Sequence, residues 1–136
     1  MQLIAGGSGL VPLMAMIRAR AAGPDPGIAP FRLLYSVREP GALLYAGELG
    51  ERATDGTGLE SAYACTRRAP EGHERPPGQV DAALVRAVTW PPESMPLTFV
   101  CGPTGFVESA AGLLVAACYD PALIRTERFG PTGGSQ

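Results

Sequence analysis

Short apolar runs alternate with stretches of helical periodicity along most of this 136-residue chain. Five runs have the length and composition of buried strands. Between them, apolar residues recur at intervals of three and four, as they do on one face of a helix. The predicted strands cover residues 3–5, 31–36, 59–66, 97–101 and 124–129. The predicted helices cover residues 10–21, 80–88 and 104–118, and residues 42–49 form a short helix or turn.

This alternation of strands and helices predicts consecutive βαβ units, and therefore a parallel sheet covered by helices on both faces. Right-handed crossovers leave few strand orders, of which 3-2-1-4-5 is the usual one. We therefore predict an α/β fold: a single Rossmann-like, doubly wound domain over residues 1–136 with a five-stranded parallel sheet in that order. Strands 1 and 4 are then neighbours, so the turns that follow them open onto one crevice.

Charge and cysteine content exclude several classes of function. The formal net charge of −2 gives no electrostatic basis for binding nucleic acid or a membrane surface. The longest apolar stretch, residues 106–118, is interrupted by Glu108 and Ser109 and is too short to span a bilayer. The cysteines have no paired spacing, which argues against a disulfide framework and a zinc site. We expect a cytoplasmic protein with reduced thiols and no bound metal.

A glycine-rich turn follows the first predicted strand, at Gly7-Ser8-Gly9 and, three residues further on, Pro12. Glycines at this place let the backbone approach a pyrophosphate, and the start of the next helix offers N–H groups and positive potential. The spacing is a variant of the dinucleotide-binding fingerprint, with Pro12 in place of the third glycine. These four residues are candidates for cofactor binding, and the alternative is that the glycines only form a turn.

A second such turn, Cys101-Gly102-Pro103, ends the fourth strand, and Thr104 begins the following helix. A thiol at the carboxyl end of this strand can pack beside a nicotinamide ring, or it can be a small buried apolar group. Covalent catalysis by Cys101 is not expected, because a nucleophile needs an adjacent base and His73, the one histidine, lies in a distant loop. We take these four residues as candidates for cofactor binding and Cys101 also as a candidate catalytic residue.

Arginines follow the second and third strands, in Ser36-Val37-Arg38 and Thr66-Arg67. At these strand ends an arginine can bind a 2′-phosphate with two parallel hydrogen bonds. Each arginine taken singly can also be a solvated surface charge, and Glu39, next to Arg38, could favour the free ribose of NAD. NADP and NAD therefore both remain candidate cofactors, with Ser36, Arg38, Thr66 and Arg67 as candidate binding residues.

The last predicted strand ends in Glu127-Arg128-Phe129. An aromatic ring at this position can stack on a cofactor ring, or it can pack along the edge of the sheet. Phe129 is therefore a candidate for cofactor binding.

Together these residues resemble the NADP-binding domain of the ferredoxin–NADP reductase superfamily over almost the whole chain. The Cys-Gly-Pro motif is the most specific part of the resemblance. At Gly78-Gln79-Val80 the chain departs from the family, which has Gly-Arg-hydrophobic there and often uses that arginine to hold the 2′-phosphate. The other matching positions are Gly7, Gly9 and Pro12, the pair Thr66-Arg67, and Arg38 with a looser match over residues 44–49.

The resemblance implies that NAD(P)H lies across the carboxyl edge of the sheet, with its nicotinamide near Cys101. Hydride then passes to N5 of FAD, with Glu127 as a candidate catalytic carboxylate, and electrons go on to an acceptor protein. The family's FAD-binding barrel, which precedes this domain, has no counterpart in residues 1–136. The chain is therefore expected to need a FAD-binding domain or subunit as its partner, and to be inactive alone.

Two other functions remain open. The chain could be a non-catalytic module that holds or senses a nucleotide, or the nucleotide-binding domain of an NAD(P)-dependent dehydrogenase. The first alternative predicts nucleotide affinity without activity in the presence of any flavin domain. The second requires an acid–base residue in the crevice, such as a histidine or tyrosine.

Overall fold

A single parallel sheet organises the computed structural model, which describes residues 1–23, 30–56, 58–68, 71 and 76–130. The predicted strand order is confirmed as β3-β2-β1-β4-β5, and every neighbouring pair is parallel. The strands are β1 (Gln2–Gly6), β2 (Phe31–Val37), β3 (Leu59–Cys65), β4 (Thr98–Pro103) and β5 (Ile124–Phe129). The helices are α1 (Leu10–Ala22), α2 (Ala46–Thr54), α3 (Ala82–Val88) and α4 (Thr104–Ala116).

Each face of the sheet carries its own buried cluster because successive strand residues point to opposite sides. On one face, Leu3, Ala5 and Tyr35 pack beneath α1 and α2. On the other, Ile4, Leu34 and Val100 pack beneath α3 and α4. The doubly wound arrangement predicted from the sequence is therefore confirmed. None of the helices in the described part of the chain has the length and apolarity needed to cross a membrane.

The segment after β2 differs from the predicted short helix or turn at 42–49. A 3₁₀ turn occupies Pro40–Ala42, and α2 runs on to Thr54. Only Leu49 of this helix is buried, whereas α1 buries Leu10, Leu13, Met14 and Ile17, so α2 has one buried apolar position in place of the repeated ones that mark a packed helix. Ion pairs fasten its exposed side instead, from Arg18 to Glu48 at 2.7 Å and from Arg52 to Asp55 at 2.8 Å.

The strand β4 continues two residues past its predicted end at Cys101. The sheet holds Gly102 and Pro103 in register with Arg128 and Phe129 of β5. This pairing involves residues that are distant in the chain, so local pattern could not predict it. The strand β5 itself lies at the edge of the sheet, and all of its residues after Ile124 are exposed.

A hydrogen-bonded cluster closes the amino edge of the sheet. The buried side chain of Gln2 donates from Nε2 to the carbonyl of Arg32, 3.0 Å away, and accepts at Oε1 from the backbone N–H of Trp90. The Arg32 guanidinium lies 3.9 Å from the centroid of the Trp90 ring. The hydroxyls of Thr89 and Tyr119 are hydrogen-bonded at 2.6 Å, and Tyr119 also donates to the carbonyl of Trp90. The cluster connects β1 and β2 to the ends of α3 and α4.

At the opposite edge, the start of α1 packs directly on the backbone of β4. A Cβ atom placed on Gly9 would lie 2.2 Å from the carbonyl oxygen of Cys101. No side chain fits at that distance, so glycine is required here by contact between two backbones. This contact fixes where α1 begins relative to β4.

We predict that Gly9→Ala destabilises the fold by about 1–3 kcal/mol or more, because backbone atoms must move to admit the methyl group. Gly112→Ala is the matched control, since Gly112 lies in α4 with no atom within 4 Å of its Cβ position. That variant should gain about 0.5–1 kcal/mol from helix propensity. Urea denaturation of both variants measures the difference, and equal stabilities would contradict the backbone contact.

Candidate functional site

The carboxyl edge of the sheet holds a cavity of about 490 Å³. It lies where β1, β2 and β3 end and is bounded on its far side by the start of α4. The predicted candidates Gly7, Ser8, Ser36, Arg38 and Thr66 line it. The rest of the wall is formed by residues that were not among the predicted candidates: Gly6, Val37, Ala42, Leu44, Gln79, Val80, Gly105, Phe106, Ser109 and Ala110.

A smaller recess of about 290 Å³ lies on the other side of the first glycine turn. Ser8 lines both spaces, so the two adjoin at this turn, and together they follow the carboxyl edge from β3 to β5. The recess is lined by the predicted candidates Ser8, Pro12, Cys101, Glu127 and Phe129, and by Arg128.

The remaining candidates line neither space. Gly9 and Gly102 are buried in the contact between the two turns, and Pro103 and Thr104 form the junction of β4 with α4. Arg67 is exposed beyond the rim of the larger cavity. The predicted loop position of His73 falls outside the residues that the structure describes.

Two helices begin at this edge without a side-chain cap. The 3₁₀ turn Gly7–Gly9 runs directly into α1, and neither Gly6 before this turn nor Pro103 before α4 makes a side-chain cap hydrogen bond. The Leu10 N–H already donates to the carbonyls of Gly7 and Ser8, so the uncapped start lies at the glycine turn and not within α1. The first N–H groups of a helix lack intrahelical partners and carry positive partial charge, so they suit an anionic ligand. Gly7 adopts φ +54° with open space beyond it, so the turn presents bare backbone to the larger cavity.

The ring of Phe106 forms the floor of the cavity between the two turns. A Cβ atom on Gly6 would lie 2.6 Å from this ring, and one on Gly102 would lie 2.9 Å from it. Both glycines therefore make room for the aromatic side chain. Phe106 was not among the predicted candidates, although an aromatic in the first turn of the helix after Cys-Gly-Pro was a usable signal.

Arginine side chains gather at the far end of the larger cavity. The backbone N–H groups of Arg67 and Arg68 both donate to the carbonyl of Arg38, at 2.9 and 3.1 Å, and so hold the loops after β2 and β3 together. Arg68 forms an exposed ion pair with Glu39 at 3.4 Å. One acidic side chain therefore stands among three arginines, and Arg38 is the one that lines the cavity.

In the smaller recess, Cys101 lies buried opposite Glu127 in the sheet register. Burial raises the pKa of the Cys101 thiol above its usual value, and the negative charge of Glu127 raises it further. The thiol is therefore neutral near pH 7, which suits packing against a ring and opposes a nucleophilic role. Phe129 is 44% exposed at the rim.

Comparison with known proteins gives a family match and several relatives. Residues 3–112 match the model of the oxidoreductase NAD-binding domain. The chain is 30% identical over 109 residues to NADH-cytochrome b5 reductase 2 from Rattus norvegicus, covering 80% of this chain and 39% of that protein. The chain thus spans about two fifths of the length of this curated relative.

Two solved structures share the fold. One is the cytochrome b5 reductase domain of Ulva prolifera nitrate reductase, with a TM-score of 0.82 at 21% identity, covering 93% of this chain and 47% of that one. The other is the FAD/NAD-binding domain of a nitric oxide dioxygenase from Vibrio cholerae, with a TM-score of 0.80 at 23% identity, covering 96% and 51%.

The raised pKa of Cys101 leads to a prediction about thiol reactivity. In the folded protein near neutral pH, iodoacetamide should modify the exposed Cys118 well before the buried Cys101, because alkylation requires an accessible thiolate. Glu127→Gln removes a neighbouring negative charge, so the pKa of Cys101 should fall and its labelling should quicken. Mass spectrometry of timed samples measures both rates, and labelling of Cys101 as fast as Cys118 would contradict this account.

Proposed function

This chain belongs to the oxidoreductase NAD-binding domain family, and from that premise we propose that it is the pyridine-nucleotide half of a flavin-dependent oxidoreductase. In this role it holds NADH or NADPH with the nicotinamide directed towards a flavin on another domain or subunit. The observation that carries the proposal is the convergence of two uncapped helix starts, at the open Gly7 turn and at α4, on two adjoining spaces at one edge of the sheet.

The residues of the crevice fit a dinucleotide. We place the pyrophosphate at the Gly7-Ser8-Gly9 turn, where backbone N–H groups and the start of α1 favour negative charge. The adenosine half then occupies the larger cavity, with Ser36 and Thr66 at the strand ends and Arg38 beside the ribose. Gln79 also lines this cavity, so Arg38 supplies the charge there for a 2′-phosphate.

The nicotinamide half occupies the smaller recess in this arrangement. A bound dihydronicotinamide supplies a hydride, and the chain's own residues orient the ring. The neutral thiol of Cys101 offers a small contact surface, Phe129 shields the rim from water, and Glu127 places a carboxylate at the open side. Gly102, Pro103 and Thr104 hold this edge by joining β4 to α4.

The names of relatives support two proposed partners. The Vibrio cholerae structure is described as binding FAD as well as NAD, and we propose that FAD is supplied to this chain by a separate domain or subunit. Cytochrome b5 and nitrate reductase appear in the names of relatives, which supports an electron-acceptor protein as the second partner. A cytoplasmic location stays a prediction.

Replacing Arg38 tests the placement of the adenosine half. Arg38→Ala should weaken NADP⁺ binding roughly ten-fold, because a charge-assisted contact to phosphate is lost, and should weaken NAD⁺ binding less. Arg67→Ala should have a smaller effect, since Arg67 lies outside the cavity. Isothermal titration calorimetry of each variant with both nucleotides gives these ratios.

Arg86→Ala, an exposed position on α3, is the matched control and should bind both nucleotides as the wild type does. If the wild type binds NAD⁺ and NADP⁺ equally and Arg38→Ala changes neither, the crevice does not read a 2′-phosphate through this residue. If the wild type binds no nucleotide, the proposed function fails.

A chimeric protein can distinguish the proposed reductase function from a non-catalytic nucleotide-binding module. Fused behind the FAD-binding part of the Vibrio cholerae relative, this chain should support NAD(P)H oxidation with ferricyanide as the acceptor. The chain mixed with free FAD should not. A chimera that binds the nucleotide but stays inactive would favour the non-catalytic module, and turnover of a small alcohol or hydroxy acid without flavin would favour a dehydrogenase.

A further inference from the structure

We propose that Tyr35 is a positioning residue for nucleotide binding: its buried hydroxyl fixes the Leu44 wall of the larger cavity through the Leu44 N–H. This inference rests on the proposed function, because it assigns the adenosine half of the nucleotide to that cavity. Tyr35 is not itself a lining residue, so its effect on the ligand passes through Leu44.

Leu44 stands at the mouth of the cavity in the irregular segment between the 3₁₀ turn and α2. Its side chain is 38% exposed although it is large and apolar, and it lines the space beside Ala42 and Arg38. Exposed apolar surface at a cavity wall suits contact with a flat, weakly polar ring such as a purine. The position of this side chain depends on what holds its backbone.

Tyr35, a residue of β2, holds the backbone of Leu44 in place through its hydroxyl. Its side chain is fully buried in β2, next to Tyr63 with 6.2 Å between ring centroids. Its hydroxyl accepts a hydrogen bond from the N–H of Leu44 at 3.0 Å. Burial raises the pKa of this hydroxyl, so it stays protonated and keeps its geometry across the neutral pH range.

Further contacts, centred on Tyr45 and on Glu48 of α2, hold the segment that follows Leu44. Tyr45 adopts the left-handed conformation, with φ 55°, which non-glycine residues rarely adopt. The guanidinium of Arg18 lies 5.1 Å from the centroid of its ring and also makes two hydrogen bonds to Glu48, at 2.7 and 2.8 Å. The backbone of Leu49 donates to the carbonyl of Tyr45 at 2.9 Å. The segment is therefore held from α1, from β2 and from within α2.

A wall held in this way is ordered before the ligand arrives, so binding does not have to order it. Removing the Tyr35 hydroxyl releases one of the attachments and leaves the buried ring in place. The affinity should therefore decrease for ligands that contact Leu44 and stay unchanged for ligands that do not.

The test compares Tyr35→Phe with wild type by calorimetric titration with 5′-AMP, NADH and nicotinamide mononucleotide. The loss of one hydrogen bond should weaken 5′-AMP and NADH by the same factor, roughly three- to ten-fold. Nicotinamide mononucleotide should bind as it does to the wild type. A fall in affinity for all three probes would indicate general damage to the fold and would overturn the inference.

Two control variants carry the same Tyr→Phe change at other positions, so they show whether the effect is specific to position 35. Tyr63→Phe alters the neighbouring ring, which lines neither cavity, and should leave all three affinities unchanged. Tyr119→Phe breaks the hydrogen bonds at the opposite edge of the sheet. It should lower the melting temperature without changing nucleotide affinity. This result would show that lower stability alone does not cause the loss of 5′-AMP and NADH affinity expected for Tyr35→Phe.

Hydrogen exchange followed by NMR supplies a measurement that needs no ligand. The Leu44 amide should exchange faster in Tyr35→Phe, while the Leu49 amide keeps its wild-type rate. If the wild type binds 5′-AMP and NADH and Tyr35→Phe binds them equally well, the inference is wrong and the proposed function stands. If the wild type binds neither, the proposed function fails and the inference fails with it.

Discussion

The direct contact between the start of α1 and the backbone of β4 is the constraint on which the site depends. Because the backbone of Gly9 lies against the carbonyl of Cys101, the first helix begins where the fourth strand ends, and both glycine turns reach the same edge. The two uncapped helix starts meet the crevice as a result of this contact. If a side chain separated the two backbones, the turns would be further apart and the two spaces would not adjoin at Ser8.

The glycines of the two turns have different functions, although the sequence presents them alike. Gly7 leaves bare backbone facing the larger cavity, whereas Gly9 permits the contact between α1 and β4. Gly6 and Gly102 accept the ring of Phe106. The conventional account assigns such glycines to the approach of a phosphate, and here that account fits Gly7 best. The other three shape the protein around the space that a ligand would use.

The parts of the fold that the sequence predicts are those that depend on burial. The five strands, the order of the sheet and the resemblance to the reductase superfamily were all confirmed, since each depends on strong apolar periodicity or on a compact local motif. The extent of α2 and the wall at Leu44 were not predicted. Polar contacts hold α2 and the Leu44 wall in place, for example those of Arg18 with Glu48 and of Tyr35 with Leu44. A local sequence pattern cannot predict such contacts, because the partners are separated in the chain. Most of the candidate site residues lie along the crevice, and their roles stay predictions.

The exposed strand β5 has a consequence for the colloidal behaviour of the protein. An edge strand presents unpaired backbone groups that can recruit a strand from another molecule. Arg125, Glu127 and Arg128 place alternating charges along this edge, and a second copy added in register would have to bring like charges together or strip them of water. Glu127 and Arg128, which border the recess, therefore also help to protect this end of the sheet against intermolecular strand addition.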